Sequence, residues 1–233
     1  MSRIAIMQPY FLPYIGYFQL MAAVDLFIVY DNIKYTKKGW INRNRILRDG
    51  ADTLISLPLK AGADSLHVRE RELAADFDPG KLLRRVAEAY RHAPGFAETL
   101  PLVERILGYP DRNLFGFLHH SMVETCRHLG IASQVEVSST FAIDHGLKAQ
   151  EKVLALCAAA GAETYVNAIG GTDLYSSSAF RARGVELRFL KPRPFEYHQF
   201  GGTFVPWLSI IDVLMFNSKQ ATAEAIRDNF DLL

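Results

Sequence analysis

The chain has almost no charge excess. Its 233 residues carry 26 basic and 25 acidic side chains, a formal net charge of +1. That balance excludes a protein that coats DNA or RNA through its charge, and a hydrophobic content of 49% excludes a disordered tail. Long apolar runs are also missing: none approaches the ~20 residues that cross a bilayer. Met1-Ser2-Arg3 leads straight into an apolar stretch, so no secretory leader and a cytoplasmic location are expected. Only two cysteines occur, Cys126 and Cys157, in no CxxC or ligand spacing. This argues against a disulfide scaffold, and both are expected as core thiols. Neither GxGxxG nor a Walker motif is present, which removes the common dinucleotide and P-loop modes; no cofactor is expected. The one dense histidine set, His119-His120 with His128, falls on a helical pattern. Adjacent residues there point ~100° apart, so no metal site is expected.

What is present begins at the amino terminus. Arg3-Ile4-Ala5-Ile6 reads as a buried strand, and Phe18, Leu20, Met21 and Val24 supply the apolar face of a helix. Asp25-Leu26-Phe27-Ile28-Val29-Tyr30-Asp31 returns as a second strand. This is one βαβ unit, and such units wind a parallel sheet. The loop within it, Gln8-Pro9-Tyr10-Phe11-Leu12-Pro13-Tyr14-Ile15-Gly16-Tyr17, is pinned by two prolines and opened by Gly16. It lies where ligands of open α/β sheets bind, which makes Gln8, Tyr10, Tyr14 and Tyr17 candidate binding residues. A basic, amide-rich segment follows Asp31, with Lys34, Trp40, Asn42, Arg43, Asn44 and Arg45 as candidates for holding a phosphate or carboxylate.

Thr53 to Leu59 reads as a third strand ending near Pro58, and His67 to Leu73 as a short exposed strand. From Asp78 to Leu129 the period becomes helical, predicting an inserted block of three helices that could cap the strand ends. The α/β pattern then resumes. Gln134 to Thr140 is a predicted strand running into hydroxyls, Gly146 to Ala160 a helix, Glu163 to Asn167 a strand, and Val185 to Leu190 another. Ser138 and Ser139 are candidates to present hydroxyl and amide hydrogens to an anion. Asn167, Gly170 and Gly171 allow close backbone approach. Gly184 suits a left-handed helix end. His198, between Tyr197 and Gln199, is the histidine best placed for proton transfer. Asp212 sits in an apolar helix over 208–216 and needs a partner, expected among the basic residues of 34–45. Lys219 to Phe230 closes the chain as an amphipathic helix. The expectation is a single α/β domain over residues 1–233, a mostly parallel sheet with helices on both faces.

Several of these stretches resemble the WbqC-like protein family: Gln8-Pro9 with Pro13-Tyr14-Ile15-Gly16-Tyr17-Phe18, then Asp31, Trp40-Ile41-Asn42-Arg43-Asn44, residues 161–175 and Trp207-Leu208-Ser209-Ile210-Ile211-Asp212. The resemblance implies a role in surface-polysaccharide and O-antigen assembly, with transfer of an acyl or aminoacyl (glycyl) group. The partners it implies are a small activated donor (a sugar nucleotide, acyl or aminoacyl compound) and a glycan-precursor acceptor. On that reading Asp31 and His198 are the candidate catalytic residues. The strand-loop-helix layout is also similar to nucleotidyltransferases, whose loop carries two histidines; here both places are tyrosine, Tyr14 and Tyr17, and a phenol brings no positive charge at neutral pH. A third reading, a non-catalytic partner in a glycan-assembly complex, expects exposed aromatics at Tyr10, Tyr14 and Trp40.

Overall fold

The computed structural model describes residues 2–233. β1 (Arg3–Met7), α1 (Ile15–Ala22) and β2 (Leu26–Val29) form the expected unit, with the strands parallel from Ile4↔Leu26 to Met7↔Val29. The chain then leaves the sheet. β3 (Arg43–Arg48) and β4 (Ala51–Ser56) make a separate antiparallel hairpin. Its turn, Asp49-Gly50, holds both residues at positive φ, as a tight two-residue hairpin requires. Two sequence expectations are corrected here. Arg43, Asn44 and Arg45 are strand residues, not the end of a basic loop, and the strand expected over 53–59 starts and ends earlier and lies outside the main sheet. The charged and amide side chains of β3 masked its alternation, in which Asn44 and Ile46 turn inward. The segment expected as a strand from His67 holds a 3-10 turn at Val68–Glu70 instead.

α2 (Pro79–Tyr90), α3 (Phe96–Leu107) and α4 (Leu114–Leu129) form the helical block. Asp78 caps α2 by accepting the Lys81 N–H at 3.0 Å. β5 (Gln134–Val137) pairs parallel with β2; the chain then turns in a 3-10 helix at Ser138–Thr140 rather than continuing as strand. α5 (Ala149–Ala159), β6 (Thr164–Ala168), α6 (Ser177–Arg181) and β7 (Glu186–Pro192) resume the α/β pattern, followed by α7 (Ile210–Phe216) and α8 (Lys219–Asp228). Gly184 has φ +72, the left-handed conformation its place after α6 demands. The closing helix stops short of its expected end. Asn229 donates its amide to the carbonyls of Arg193 and Pro194, and β8 (Phe230–Leu232) adds to β7 as an antiparallel edge.

The main sheet runs β5-β2-β1-β6-β7-β8, parallel except at β8. Its two faces bury separate cores. Ala5, Phe27, Val29 and Val166 face α1 and the helical block, whereas Ile4, Ile6, Ile28 and Tyr165 face Val153, Leu156 and Cys157 of α5 and Phe180 of α6. Alternate residues of each buried strand thus point to opposite cores. Cys126 belongs to the first core and Cys157 to the second; both are free and buried, and burial pushes each thiol up to about 12.

The first crossover, through α1, steps from β1 to β2. The crossover through α5 returns over the opposite face from β5 to β6. Strand order therefore reverses between β1 and β6, where an open α/β sheet forms its ligand crevice. The register shows the opening. β1 and β6 pair only at Arg3↔Thr164 and Ile4↔Tyr165, while β1–β2 pairing continues to Met7 and β6–β7 pairing to Ala168. The two central strands part toward their carboxyl ends.

Candidate functional site

The loop after β1 is held from three sides. Tyr17 donates its hydroxyl to the Gln8 carbonyl at 2.8 Å, and Tyr10 reaches the Gln8 side-chain oxygen at 3.3 Å. Asn44 on β3 donates to the carbonyls of Phe11 (3.0 Å) and Leu12 (2.8 Å), and the Phe11 N–H binds the Trp40 carbonyl. From the start of α7, Ser209 Oγ donates to the Leu12 carbonyl and the Ile210 N–H to the Pro13 carbonyl. These bonds serve Leu12, whose φ of +45 is uncommon for a residue with a Cβ. Residues from positions 8–17, 40–44 and 207–210 thus meet at one place.

Gly16 has a specific task there. A Cβ at this position would lie 2.5 Å from the Tyr14 ring, so its absence lets the ring fold over the start of α1. Tyr14 then meets Trp207 edge-to-face, with centroids 5.8 Å apart. Gly16→Ala is expected to keep the fold, since alanine favours the helix by about 1 kcal/mol, yet to drive the Tyr14 ring off Trp207. Tryptophan emission and its quenching by iodide should change while the melting temperature stays within a few degrees. Unaltered emission would remove this role from Gly16.

Two cavities adjoin this aromatic pair. One of about 330 Å³ is lined by Tyr10, Pro13, Tyr14, Trp40, Asn44, Arg45 and Trp207. The other, about 460 Å³, lies beyond the end of β7 and includes Ile15, Pro192, Tyr197, Phe204 and Leu208. Tyr14 and Trp207 line both. Trp207 is 65% exposed and Trp40 42% exposed. Trp207 also has φ +62, a strained conformation for a bulky side chain. The Arg45 guanidinium stacks over Trp40 at 5.3 Å, pairs with Asp52 at 2.9 Å and reaches the Trp207 carbonyl at 3.4 Å. Burial raises Tyr10, Tyr14 and Tyr17, so all three phenols stay neutral and act as hydrogen-bonding groups. No residue of the helical block lines either cavity.

A second polar cluster occupies the carboxyl ends of β2 and β5. Asp31 Oδ1 accepts from Ser138 Oγ at 2.9 Å and from the Ser139 N–H at 3.1 Å; Oδ2 faces Arg69 at 3.4 Å. Burial alone would raise Asp31, but the hydrogen bonds from Ser139 and Ser138 outweigh it and hold the carboxyl below its usual range. The hydroxyl-and-amide loop is therefore filled by the protein's own carboxylate. Asn32 accepts from Lys152 Nζ at 3.0 Å and donates to His145 Nδ1 at 3.0 Å. Lys152, Asn32 and His145 carry no motif in the sequence that marks them as a cluster. Lys152 left a trace: it stands one turn before Leu156 on the inward face of α5, where an apolar residue belongs.

The remaining candidates fall as follows. Asn42 accepts from Tyr35 and donates to the Leu57 carbonyl, and Arg43 donates to the Gly39 carbonyl; both brace the hairpin. Lys34 is exposed. Asn167 is buried and packs against Gly171, where a Cβ would come within 3.0 Å of its amide, while Gly170 is exposed; this loop follows β6 at the opening of the sheet but lines neither cavity. His198 is exposed and has no partner among the described residues, because its neighbours turn the other way. Tyr197 and Gln199 donate to Asp212 at 2.6 and 2.9 Å, and Tyr90 joins them at 2.7 Å. The basic partner expected for Asp212 from residues 34–45 is absent: neutral donors from 90, 197 and 199 reach the buried carboxylate instead.

The comparisons with known proteins establish kinship. The model of the WbqC-like protein family matches residues 8–224. A Mycobacterium tuberculosis protein described as "Uncharacterized protein Rv1507c" is 30% identical over 231 residues, covering 97% of this chain and 98% of the relative. No solved structure matches. The match takes in the proline-and-tyrosine loop, the Trp40 hairpin and the Trp207-Asp212 segment that converge on the two cavities, and the chain belongs to the WbqC-like protein family.

Proposed function

We propose that the protein is a cytoplasmic transferase of surface-polysaccharide (O-antigen) assembly, moving an acyl or aminoacyl group from a small activated donor to a sugar or amine acceptor. One observation carries the reading. Cavities of about 330 and 460 Å³ adjoin across a single aromatic pair, Tyr14 and Trp207. A group transfer needs two substrates held with their reacting atoms together, and adjoining chambers meet that need. The smaller chamber pairs aromatic faces, which stack on the apolar face of a sugar ring, with the polar groups of Asn44 and Arg45. In the transfer, the acceptor nitrogen or oxygen bonds to the acyl carbon, the donor's leaving group departs, and the acceptor gives up a proton. His198 is the proposed proton acceptor: it follows Glu196 and Tyr197 of the larger chamber in the chain and is exposed, though it does not itself line the chamber. Asp31 lines neither chamber and is held by Ser138, Ser139 and Arg69, so no part in the transfer is proposed for it.

Nucleotidyl transfer is less well supported, because the tyrosines that replace the two histidines stay neutral. Of the aromatics that the partner-protein reading expects exposed, Trp40 is, whereas Tyr10 and Tyr14 are half-buried. Thermal shift with UDP-sugars, CTP, ATP, acetyl-CoA and glycyl-tRNA separates the three. A donor that stabilises the protein, together with a missing acyl or aminoacyl substituent in mass spectra of glycan from a deletion strain, is the expected result. An unchanged glycan and no stabilisation by any compound would overturn the transferase reading in favour of a binding partner.

A further inference from the structure

The cluster at the ends of β2 and β5 is not needed by the two-chamber site and lies at another part of the sheet edge. Lys152 is 93% buried, as its 7% exposure shows. Its ammonium has three hydrogens. Asn32 Oδ1 takes one at 3.0 Å, and the Tyr30 ring lies under the charge at 5.3 Å. The other hydrogens have no acceptor among the described residues. A buried ammonium with unfilled donors is costly unless something outside the chain completes it. Arg69 stands across Asp31 with its side chain half exposed, and its one side-chain contact is the long 3.4 Å approach to Asp31. Two cations and one carboxylate leave a net positive charge. His145 borders the cluster, with Nδ1 at 3.0 Å from the Asn32 side-chain nitrogen and Nε2 at 3.1 Å from the Phe141 carbonyl.

The serine loop, the usual home for an anion at such an edge, is filled by Asp31. Asp31 in turn orients Arg69, and Asn32 orients Lys152, so both cations are positioned by groups that are themselves held. The first turn of α5, which carries Lys152, has no side-chain cap on its N–H groups. That end of the helix favours negative charge, a secondary contribution beside the two side chains.

We infer that Lys152 and Arg69 form a binding site for a phosphoryl group at the carboxyl ends of β2 and β5. A tetrahedral dianion suits the pair, since Lys152 supplies a compact point charge and Arg69 a fork. The site does not depend on the transferase reading, and its test involves no turnover.

Inorganic phosphate, followed by 31P line broadening and by titration calorimetry, is the probe, with acetate at equal ionic strength as the control. Saturable phosphate binding is expected, weakened about tenfold or more in Lys152→Met and in Arg69→Met, as loss of a charge-assisted contact dictates. Should Lys152→Met fold poorly, the half-exposed Arg69→Met variant tests the site alone. In the wild-type protein, an amine-reactive ester at neutral pH should label Lys152, and phosphate should protect it, read by peptide mass spectrometry. Equal phosphate affinity in wild type and Arg69→Met, absence of protection, or acetate binding as tight as phosphate would each overturn the assignment.

Discussion

Replacing Asp212 by alanine is expected to destabilise the protein by about 3–5 kcal/mol and to lower its melting temperature by roughly 10 °C. The carboxylate is fully buried and accepts from Tyr90, Tyr197 and Gln199. Those donors come from the helical block and from the segment before α7, and Tyr90 also accepts the Leu47 N–H of β3 at 2.8 Å. One side chain thus ties together three parts of the chain that are far apart in sequence. Its loss leaves several buried donors without an acceptor, each costing about 1–3 kcal/mol before relaxation. Burial raises the Asp212 carboxyl, with the hydrogen bonds from Tyr197, Tyr90 and Gln199 opposing that rise. The folded chain therefore holds this proton more tightly than the unfolded chain. The contribution is full below the ordinary carboxylate range and declines as pH rises through the raised folded value. Asp212→Asn, which cannot ionise, should accordingly fall furthest behind the wild type at low pH, and the gap should narrow with rising pH. Thermal melts between about pH 4 and pH 8 decide the matter; a melting temperature for Asp212→Ala within ~2 °C of wild type would refute the hub role.

The second large effect is expected at Arg45. Arg45→Ala should weaken by about 10- to 100-fold the binding of whichever donor or acceptor stabilises the wild type, as removal of a charge-assisted contact does. Arg45→Lys should not rescue it, because a lysine's single ammonium cannot lie over Trp40 and at the same time reach Asp52 and the Trp207 carbonyl. The stability of the unliganded protein should change little, since a part-exposed ion pair such as Arg45–Asp52 contributes at most about 1 kcal/mol. Arg43→Ala serves as the contrast: Arg43 braces the turn at Gly39 and lines neither cavity, so ligand affinity should survive its loss. If Arg43→Ala abolishes binding and Arg45→Ala does not, the smaller chamber is not the binding site.

The parallel sheet, most of its helices and the position of the proline-and-tyrosine loop were legible in the residue order. Ile4-Ala5-Ile6 and Leu26 to Val29 are continuous apolar runs that only a sheet buried on both faces accommodates. Asp78-Pro79 announces a helix start, and Gly184 a left-handed turn, because these depend on backbone chemistry within a few residues. The same locality explains the family signature, whose pieces are short and self-contained.

What the tertiary structure alone decided is which side chains meet. Arg43 and Arg45 look equivalent in the sequence and, two apart on one strand, share a face of the hairpin, yet only Arg45 lines a cavity, because Arg43 is turned back to the Gly39 carbonyl. Ser138 and Ser139 read as an anion loop, but β5 pairs beside β2 in the sheet, and Asp31 fills it. Asp212 finds tyrosines instead of arginines, and Lys152 meets Asn32 across 120 residues. Periodicity and capping are properties of ten or so neighbouring residues, whereas such encounters are set by strand order and by helix packing. Those depend on the whole chain at once.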